Sequence, residues 1–416
     1  MTRRTMARGE REAASTTRIN RFVALVASAA IVVVAAISAA AQTITTLPNS
    51  YLPRKDDKTF MPDEWLLGTG QPWHYRTKAS GNGAPIGQRL PTASETRVVK
   101  DTKGLVEAYG IKVVALLEGN DVVDIVARPN IGLNTLLLSA SIGKTVTAVA
   151  VGKAICEGRL QLDTRADAVV PLLRGRDLGT ATLRQLMQMS SGATEPPPRD
   201  ATGITRDEVD RYVQGNGSLE ALIASPRLST AQGSGGRKNR PGERFSYKSV
   251  DPFTVAEMLQ YASQMPAARW VDSKLLAEIP IGNQAILVTN QRGDFVGAEG
   301  GIRMSLQDWI RFAAYVQRQR TLDGCFGGYL KELSRTQIKI PMIDGINGYF
   351  SGYGFFTWTE NTLVRNSFWA VGYGGQRIGW STDPANRRMF LMFSNSADKD
   401  MNSIYPVADR WINGRR

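Results

Sequence analysis

The chain has 416 residues, 42% of them hydrophobic, with two cysteines, one histidine and a formal net charge of +13. This length and composition fit one large domain or two subdomains with a real core, and exclude a disordered chain. Because His74 is the only imidazole, a Ser-His-Asp triad would need it, and metal sites with two or three histidines are excluded. Two cysteines cannot form a four-cysteine metal site, and we predict no metal or cofactor. If the chain is an enzyme, we expect its base to be a lysine, a tyrosine or a carboxylate.

The first 41 residues predict an export segment. Six arginines and two glutamates lie in residues 1–21, and residues 22–41 are uncharged and end in three alanines. This order is typical of a secretory signal peptide, but twenty residues can also form an uncleaved inner-membrane anchor. Both alternatives place the remaining chain outside the cytoplasm, either secreted into the periplasm or tethered to the membrane through residues 22–41.

Without residues 1–41 the formal net charge falls to +9, and this excess is spread along the chain. The densest basic cluster is Arg237, Lys238, Arg240 and Arg244, beside a run of glycine and serine. The chain shows no nucleic-acid-binding module and no basic face with interleaved aromatic residues. We therefore interpret the cluster as a solvated loop and predict no nucleic-acid partner.

Residues 42–100 predict an irregular extension because six prolines interrupt them, and His74 lies within it. The first regular elements follow as two β-rich runs, 111–118 and 121–127, joined by a Gly-Asn pair. Two such runs separated by a two-residue turn sequence predict a β-hairpin.

The middle of the chain predicts helices. Residues 145–158 have helical periodicity and end on a glycine. Cys156 lies in this helix, where it could be a buried free thiol or could pair with Cys325 in an oxidising compartment. Further helices are predicted over 182–189, 206–213, 251–263 and 305–317.

The C-terminal part returns to β structure. Residues 349–395 contain short aromatic and β-branched runs separated by glycines, and 404–412 predicts a closing helix. We therefore predict an α/β (α+β) fold in residues 101–416. Its antiparallel sheet draws strands from both chain ends, with flanking helices and an inserted, mostly helical subdomain at about 159–345.

A lysine can serve as the base for a serine nucleophile when Ser-x-x-Lys opens a helix. Residues three apart share a helix face, while burial and the helix N-terminus favour the neutral amine. The spacing occurs at Ser141/Lys144 and at Ser396/Lys399. Only Ser141 follows an apolar run and opens a predicted helix, so Ser396 and Lys399 are interpreted as a surface turn. A phosphate-binding loop ending at Lys144 is excluded because Leu138 occupies its required first glycine position.

A second proton-transfer group is expected in a Tyr-x-Asn or Tyr-x-Ser pattern. Three tyrosines have this pattern: Tyr247, Tyr261 and Tyr349. Tyr261 falls inside a predicted helix and Tyr349 in an aromatic strand region, where packing roles are expected. Tyr247 follows a turn-forming Pro-Gly lead and is therefore the candidate.

Together these motifs resemble the serine β-lactamase-related superfamily, of β-lactamase/transpeptidase-like fold. It includes class C β-lactamases, D-alanyl-D-alanine carboxypeptidases, family VIII esterases and 6-aminohexanoate-dimer hydrolases. The resemblance spans residues 100–410 and rests on five segments in the family's order. The first segment is Ser141-Ile142-Gly143-Lys144-Thr145, followed by residues 157–163. The other four are 182–192, 241–249, Glu299-Gly300-Gly301 together with 302–305, and Gly372-Tyr373-Gly374-Gly375-Gln376.

The resemblance implies a role for each matching residue. Ser141 would form an acyl-enzyme, Lys144 and Tyr247 would act as base and acid, and Ser249 would hydrogen-bond the lysine. The backbone N–H groups of Ser141 and Gln376 would form the oxyanion hole. Gly374 and Gly375 would leave room for substrate along the strand that lines the site.

One departure bears on the substrate. Tyr373 stands where penicillin-recognising relatives often have a lysine that binds a carboxylate, and only nearby Arg377 offers a partial substitute. The sequence therefore favours a small uncharged ester or linear amide as substrate. The alternatives are a β-lactamase or D-alanyl-D-alanine carboxypeptidase, and an inactive binding member of the fold.

Overall fold

The computed structural model describes residues 73–77, 83, 85–193, 239–290, 292–340, 349–394 and 403–414, with a few isolated positions between 211 and 238. All of them belong to one folded unit. The export segment, most of the 206–213 helix and the Ser396/Lys399 turn lie outside the described residues. Within the described part, no helix is long and apolar enough to cross a membrane.

Strands and helices alternate irregularly along the chain. The strands are β1 (Trp73–Arg76), β2 (Gly87–Gln88), β3 (Val113–Glu118), β4 (Asp121–Ala127), β5 (Leu136–Leu138), β6 (Gln232–Gly233), β7 (Arg237–Lys238), β8 (Ile286–Thr289), β9 (Ile302–Ser305), β10 (Ile338–Lys339), β11 (Phe350–Tyr353), β12 (Trp358–Asn361), β13 (Ser367–Gly372), β14 (Gln376–Ser381) and β15 (Arg388–Phe393). The α-helices are α1 (Ala93–Ala108), α2 (Ile142–Cys156), α3 (Ala166–Val169), α4 (Leu183–Met187), α5 (Val250–Ser263), α6 (Ala267–Trp270), α7 (Leu306–Thr321), α8 (Cys325–Leu333) and α9 (Ile404–Asn413).

The main sheet has the order β10-β11-β12-β13-β14-β15-β3-β4-β2. Strands β3 and β4 form the predicted antiparallel hairpin. Strand β15 pairs antiparallel with β3, in a register that places Phe393 opposite Val113. The predicted sheet with strands from both chain ends is therefore confirmed.

Helices cover both faces of this sheet. On β14, the Trp380 indole donates to Ala313 of α7, whereas Arg377 donates to the Tyr405 hydroxyl of α9. Because successive strand residues point to opposite faces, α7 and α9 lie on opposite sides. Helix α2 is buried along most of its length, which explains why its sequence is apolar on all faces.

A second sheet has the order β1-β8-β9-β5. It corrects one prediction. The region 42–100 is not irregular throughout, because β1 and the start of α1 lie in it, and His74 on β1 is buried and pairs with Val288. Strands β8 and β9 run through the segment 159–345, which also contains several helices.

The predicted helices over 145–158, 182–189, 251–263, 305–317 and 404–412 all occur, with ends that differ by a few residues. Helix α2 begins earlier than predicted, directly after Ser141. Its C-terminal Cys156 forms a disulfide with Cys325 at the start of α8. The structure thus selects the paired alternative over the free thiol.

Candidate active site

Ser141 lies where β5 passes into α2, in a loop fixed by its neighbour Ser139. The Ser139 backbone N–H donates to Ile302 O at 2.7 Å, and the Ser139 hydroxyl donates to Gly300 O at 3.0 Å. Ala140 then adopts a left-handed φ of 42°. These contacts hold Ser141 at the start of a buried helix, where the peptide dipoles favour a negative charge.

The double-glycine turn allows this loop to pack closely. A Cβ on Gly300 would lie 2.8 Å from the Ala140 carbonyl carbon, and a Cβ on Gly143 would lie 2.7 Å from Gly297 O. Both obstacles are backbone atoms, so neither site accepts a side chain without moving the chain. Gly143 and Gly300, which belong to the motifs found in the sequence, are therefore required for steric reasons.

Lys144 lies one helical turn after Ser141, and its side chain is 1% exposed. Its Nζ donates to Ser141 Oγ at 3.0 Å and to the Glu299 backbone oxygen at 2.9 Å. The amine is therefore within proton-transfer distance of the serine hydroxyl. Glu299 comes from the segment after β8, so the pair depends on contact between distant parts of the chain.

The Tyr247 ring lies beside this amine, with its centroid 4.9 Å from Lys144 Nζ. It stacks on Trp358 at 5.5 Å and meets Tyr353 edge to face at 6.4 Å. Burial, followed by Tyr247 and Asp251, raises the pKa of Tyr353 well above its usual value, so this second phenol stays protonated. Tyr247 is 36% exposed. Tyr261 and Tyr349 lie elsewhere, on α5 and beside Tyr405.

Ser249 contacts a group that the sequence analysis did not assign. Its hydroxyl donates to Glu299 Oε1, which lies 3.9 Å from Lys144 Nζ. A direct hydrogen bond from Ser249 to the lysine stays a prediction. The sequence does offer one signal for Glu299, because it is an acidic residue directly before the double glycine Gly300-Gly301.

A buried ion pair supports the Tyr247 loop from behind. Lys248 Nζ lies 3.2 Å from Asp251 Oδ2 and also donates to the backbone oxygens of Met189 and Ser246. The Ser191 hydroxyl donates to the other oxygen of Asp251 at 2.5 Å. Burial raises the pKa of Asp251, and Lys248 opposes this effect. The pair joins the tyrosine loop to the turn after α4.

Gly374 and Gly375 lie in the turn between β13 and β14, not on the strand as predicted. Their φ angles are 74° and 91°, in the left-handed region that glycine enters without steric cost. The conformation of the turn therefore accounts for both glycines, whether or not substrate lies along them. It is nevertheless close to the nucleophile loop, because a Cβ on Gly372 would lie 3.0 Å from the Ala140 Cβ.

Gln376 opens β14, and its buried side chain fixes the turn. Its Nε2 donates to Ser394 O at 3.0 Å and to Tyr373 O at 3.3 Å, while its Oε1 accepts from Ser394 N at 3.0 Å. The side chain thereby joins β14 to the end of β15. This contact also fixes the position of the Gln376 backbone N–H, the predicted oxyanion donor.

Tyr373 is 51% exposed at the edge of the site. Arg377 does not replace a carboxylate-binding lysine there. It donates to Gly372 O at 2.7 Å and to the Tyr405 hydroxyl at 3.2 Å, on the α9 side of the sheet. Gln376, the strand partner of Gly372, lies on the Ser141 side of the sheet. Arg377 follows Gln376 on β14, so its side chain points to the opposite face. Among the described residues, no group of three His, Cys, Asp or Glu side chains could hold a metal.

A mixed α/β fold with a buried lysine beside a helix-opening serine defines a protein of the β-lactamase/transpeptidase-like class. A family model described as Beta-lactamase matches residues 97–408, about three quarters of the chain. The chain therefore belongs to the Beta-lactamase family. No curated protein sequence matches it.

Solved structures show the same fold at low sequence identity. A candidate 6-aminohexanoate-dimer hydrolase from Bacillus anthracis is 17% identical, with a TM-score of 0.63 over 82% of this chain and 90% of that chain. An octameric penicillin-binding protein homologue from Pyrococcus abyssi is 18% identical, with a TM-score of 0.58 over 77% and 78%. A D-stereospecific amidohydrolase from Streptomyces sp. is 16% identical, with a TM-score of 0.55 over 77% and 99%.

Proposed function

We propose that the protein is a serine hydrolase that cleaves an uncharged ester or linear amide through an acyl-enzyme on Ser141. The observation that carries this proposal is the 3.0 Å contact between Lys144 Nζ and Ser141 Oγ at the start of a buried helix. This geometry meets the distance requirement for a base that activates a nucleophile. The name of the Streptomyces relative, an amidohydrolase, fits the same chemistry.

In the proposed reaction, Lys144 accepts the proton of the Ser141 hydroxyl as Oγ bonds to the substrate carbonyl carbon. The oxyanion accepts hydrogen bonds from the backbone N–H groups of Ser141 and Gln376. Tyr247 and Lys144 then deliver a proton to the leaving group as the carbonyl re-forms. The oxygen of a water molecule then bonds to the acyl carbon and loses a proton to the same pair. The pair returns this proton to Ser141 Oγ as the bond between Oγ and the acyl carbon breaks and the acid leaves.

The substrate class follows from the charge around the site. Tyr373 occupies the lysine position, and Arg377 is engaged with Gly372 O and Tyr405. A substrate carboxylate would therefore lack, at this position, the charged partner that helps to bind β-lactams and peptides in relatives with a lysine there. A neutral acyl group suits the aromatic surface of Tyr247 and Tyr373 better.

The test uses a fluorophosphonate probe and a substrate panel. Labelling should occur on Ser141 and disappear in Ser141→Ala, and Lys144→Ala should lose most turnover of short-chain p-nitrophenyl esters. Persistent labelling of Ser141→Ala would overturn the assignment. Turnover of Lys144→Ala near the wild-type rate would show that another base operates.

A β-lactamase or D-alanyl-D-alanine carboxypeptidase is the second candidate. The fold similarity to a penicillin-binding protein homologue favours it, and Tyr373 argues against it. Rapid hydrolysis of nitrocefin with negligible ester turnover would reverse the order. An inactive binding member would show neither labelling nor turnover.

We also propose that the domain works outside the cytoplasm. The Cys156–Cys325 disulfide supports this location, because disulfides persist mainly in oxidising compartments. N-terminal sequencing of the protein from periplasmic and membrane fractions separates a cleaved signal from an anchor at residues 22–41. Recovery of the protein only from the cytoplasm would overturn export.

A further inference from the structure

Glu299 contributes two groups to the environment of Lys144. Its backbone oxygen accepts a hydrogen bond from Lys144 Nζ, and its carboxylate Oε1 lies 3.9 Å from the same nitrogen. The Ser249 hydroxyl holds this oxygen in place. The lysine side chain is buried, whereas the Glu299 side chain is 23% exposed. The backbone contact needs no particular side chain at position 299, but the ion pair does.

We propose that Glu299 is a positioning residue whose carboxylate is the counter-charge of the Lys144 base, oriented by Ser249. This inference rests on the proposed acyl-enzyme chemistry at Ser141. It goes further because it assigns the carboxylate an effect on the reaction that the backbone oxygen of the same residue cannot have. That effect is on the strength of the base and on the pH range in which the base is active.

The charge of Glu299 acts on the lysine when it carries the proton of Ser141. When the neutral amine takes the Ser141 proton, an ammonium forms 3.9 Å from Oε1 and is stabilised there until the proton moves to the leaving group. A base whose protonated form is stabilised abstracts a proton more readily. Glu299 should therefore increase the maximal rate, and removing its charge should change the pH dependence of that rate.

Other charged groups near the cluster do not duplicate this effect. Tyr247 presents its ring to Lys144 Nζ. Lys248 and Asp251 are both buried and paired with each other, so their charges largely cancel at a distance. Arg303 lies buried on β9, and its charge is the same in every variant described below. Tyr373 is exposed at the edge of the site.

The experiment measures the rate of fluorophosphonate labelling of the full chain across a pH series. The probe does not ionise, so the profile reports the enzyme's own groups. In Glu299→Gln the maximal labelling rate should fall and the acid limb of the profile should move to lower pH, because the charge 3.9 Å from Lys144 Nζ is gone. A merely structural role would lower the rate at every pH without moving the limb, and that result would overturn the proposal.

Three variants make the result decisive. Glu299→Ser is a second neutral side chain, which decides the question if Glu299→Gln does not fold, and it should show the same shift. Glu299→Asp keeps the charge and should keep the acid limb near its wild-type position. Glu157→Gln removes the same charge at the far end of α2 and should leave the profile unchanged.

The proposed function and this inference fail in different ways. Labelling that persists in Ser141→Ala would overturn the proposed function. Labelling confined to Ser141, with a wild-type acid limb in Glu299→Gln and Glu299→Ser, would overturn only the role of Glu299.

Discussion

Removing Asp251 should destabilise the protein severely, because it would leave a buried ammonium without its counter-charge. Both side chains of the Lys248–Asp251 pair are 0% exposed, with 3.2 Å between Nζ and Oδ2. Breaking a buried pair by truncating one partner costs about 3–5 kcal/mol. The Ser191 hydroxyl would also lose its acceptor, which adds about 1 kcal/mol. We therefore expect Asp251→Ala to lower the free energy of unfolding by about 4 kcal/mol or more.

The assay is guanidinium unfolding followed by tryptophan fluorescence. The matched control is Glu332→Ala, which removes a carboxylate from an exposed pair with Arg335 and should cost less than about 1 kcal/mol. The double variant Lys248→Met/Asp251→Leu removes both charges and should recover most of the lost stability. The fluorophosphonate labelling rate should fall in Asp251→Ala, because Lys248 is the neighbour of Tyr247 and anchors its loop to Met189.

Two results would refute this reasoning. A loss in Asp251→Ala no larger than in Glu332→Ala would show that water or a side-chain rearrangement compensates the lysine. A double variant as unstable as the single variant would show that Asp251 stabilises the protein through Ser191 rather than through Lys248. If Asp251→Ala loses the expected stability but is labelled at the normal rate, the ion pair stabilises the fold without positioning Tyr247.

Further predictions concern packing, the disulfide, pH and specificity. Gly300→Ala should cost about 1–3 kcal/mol and reduce labelling, because its Cβ meets backbone at 2.8 Å. On α1, Gly104→Ala meets nothing within 4 Å and should stabilise the protein by about 0.5–1 kcal/mol in the same guanidinium unfolding assay. Cys156→Ser should lower the free energy of unfolding by about 2–5 kcal/mol, and equal stability of the reduced and oxidised wild type would contradict this. Burial first, and then a neighbouring aspartate, raises the pKa of Glu257 from 4.5 to about 7, so the folded protein binds a proton more tightly than the unfolded chain. The resulting stability is complete below pH 4.5 and is lost as the pH rises through 7, and Glu257→Gln should flatten this decline of roughly 3 kcal/mol in unfolding experiments across that range. Tyr373→Lys should increase kcat/KM for a substrate that carries a carboxylate by about tenfold, the effect of one charge-assisted hydrogen bond, and an unchanged preference would show that the carboxylate does not reach this position.

The sequence predicts elements whose signal is local. The β3–β4 hairpin follows from two β-branched runs and a Gly-Asn turn, and α9 from its helical periodicity. Strand β1 could not be predicted locally, because its four residues are defined as a strand by their pairing with β8, more than two hundred residues away. Helix α1 does have a local sequence signal, since Thr92 and Glu95 form a capping box at its start.

The same distinction applies to the site. Ser141 and Lys144 share one helical turn, so their contact could be predicted from spacing alone. Glu299 enters through its backbone oxygen, which any residue has, and its carboxylate reaches Lys144 from 155 positions away. Gly375 was assigned to a strand because a glycine pair is compatible with both a strand and a turn, and only the backbone φ of 91° distinguishes them.

The two buried lysines show that hydrogen-bond partners, rather than burial, decide whether an amine is structural or reactive. Lys248 has two backbone oxygens and a carboxylate at 3.2 Å, and all three favour a fixed ammonium. Lys144 has one backbone oxygen, a serine hydroxyl that can itself lose a proton, and a carboxylate held back at 3.9 Å, where it also accepts from Ser249. The longer distance weakens the ion pair, so we expect this amine to exchange its proton with Ser141. An acidic side chain as close to Lys144 as Asp251 is to Lys248 would hold the proton on the amine, whereas Glu299 Oε1 lies at 3.9 Å and is hydrogen-bonded to Ser249.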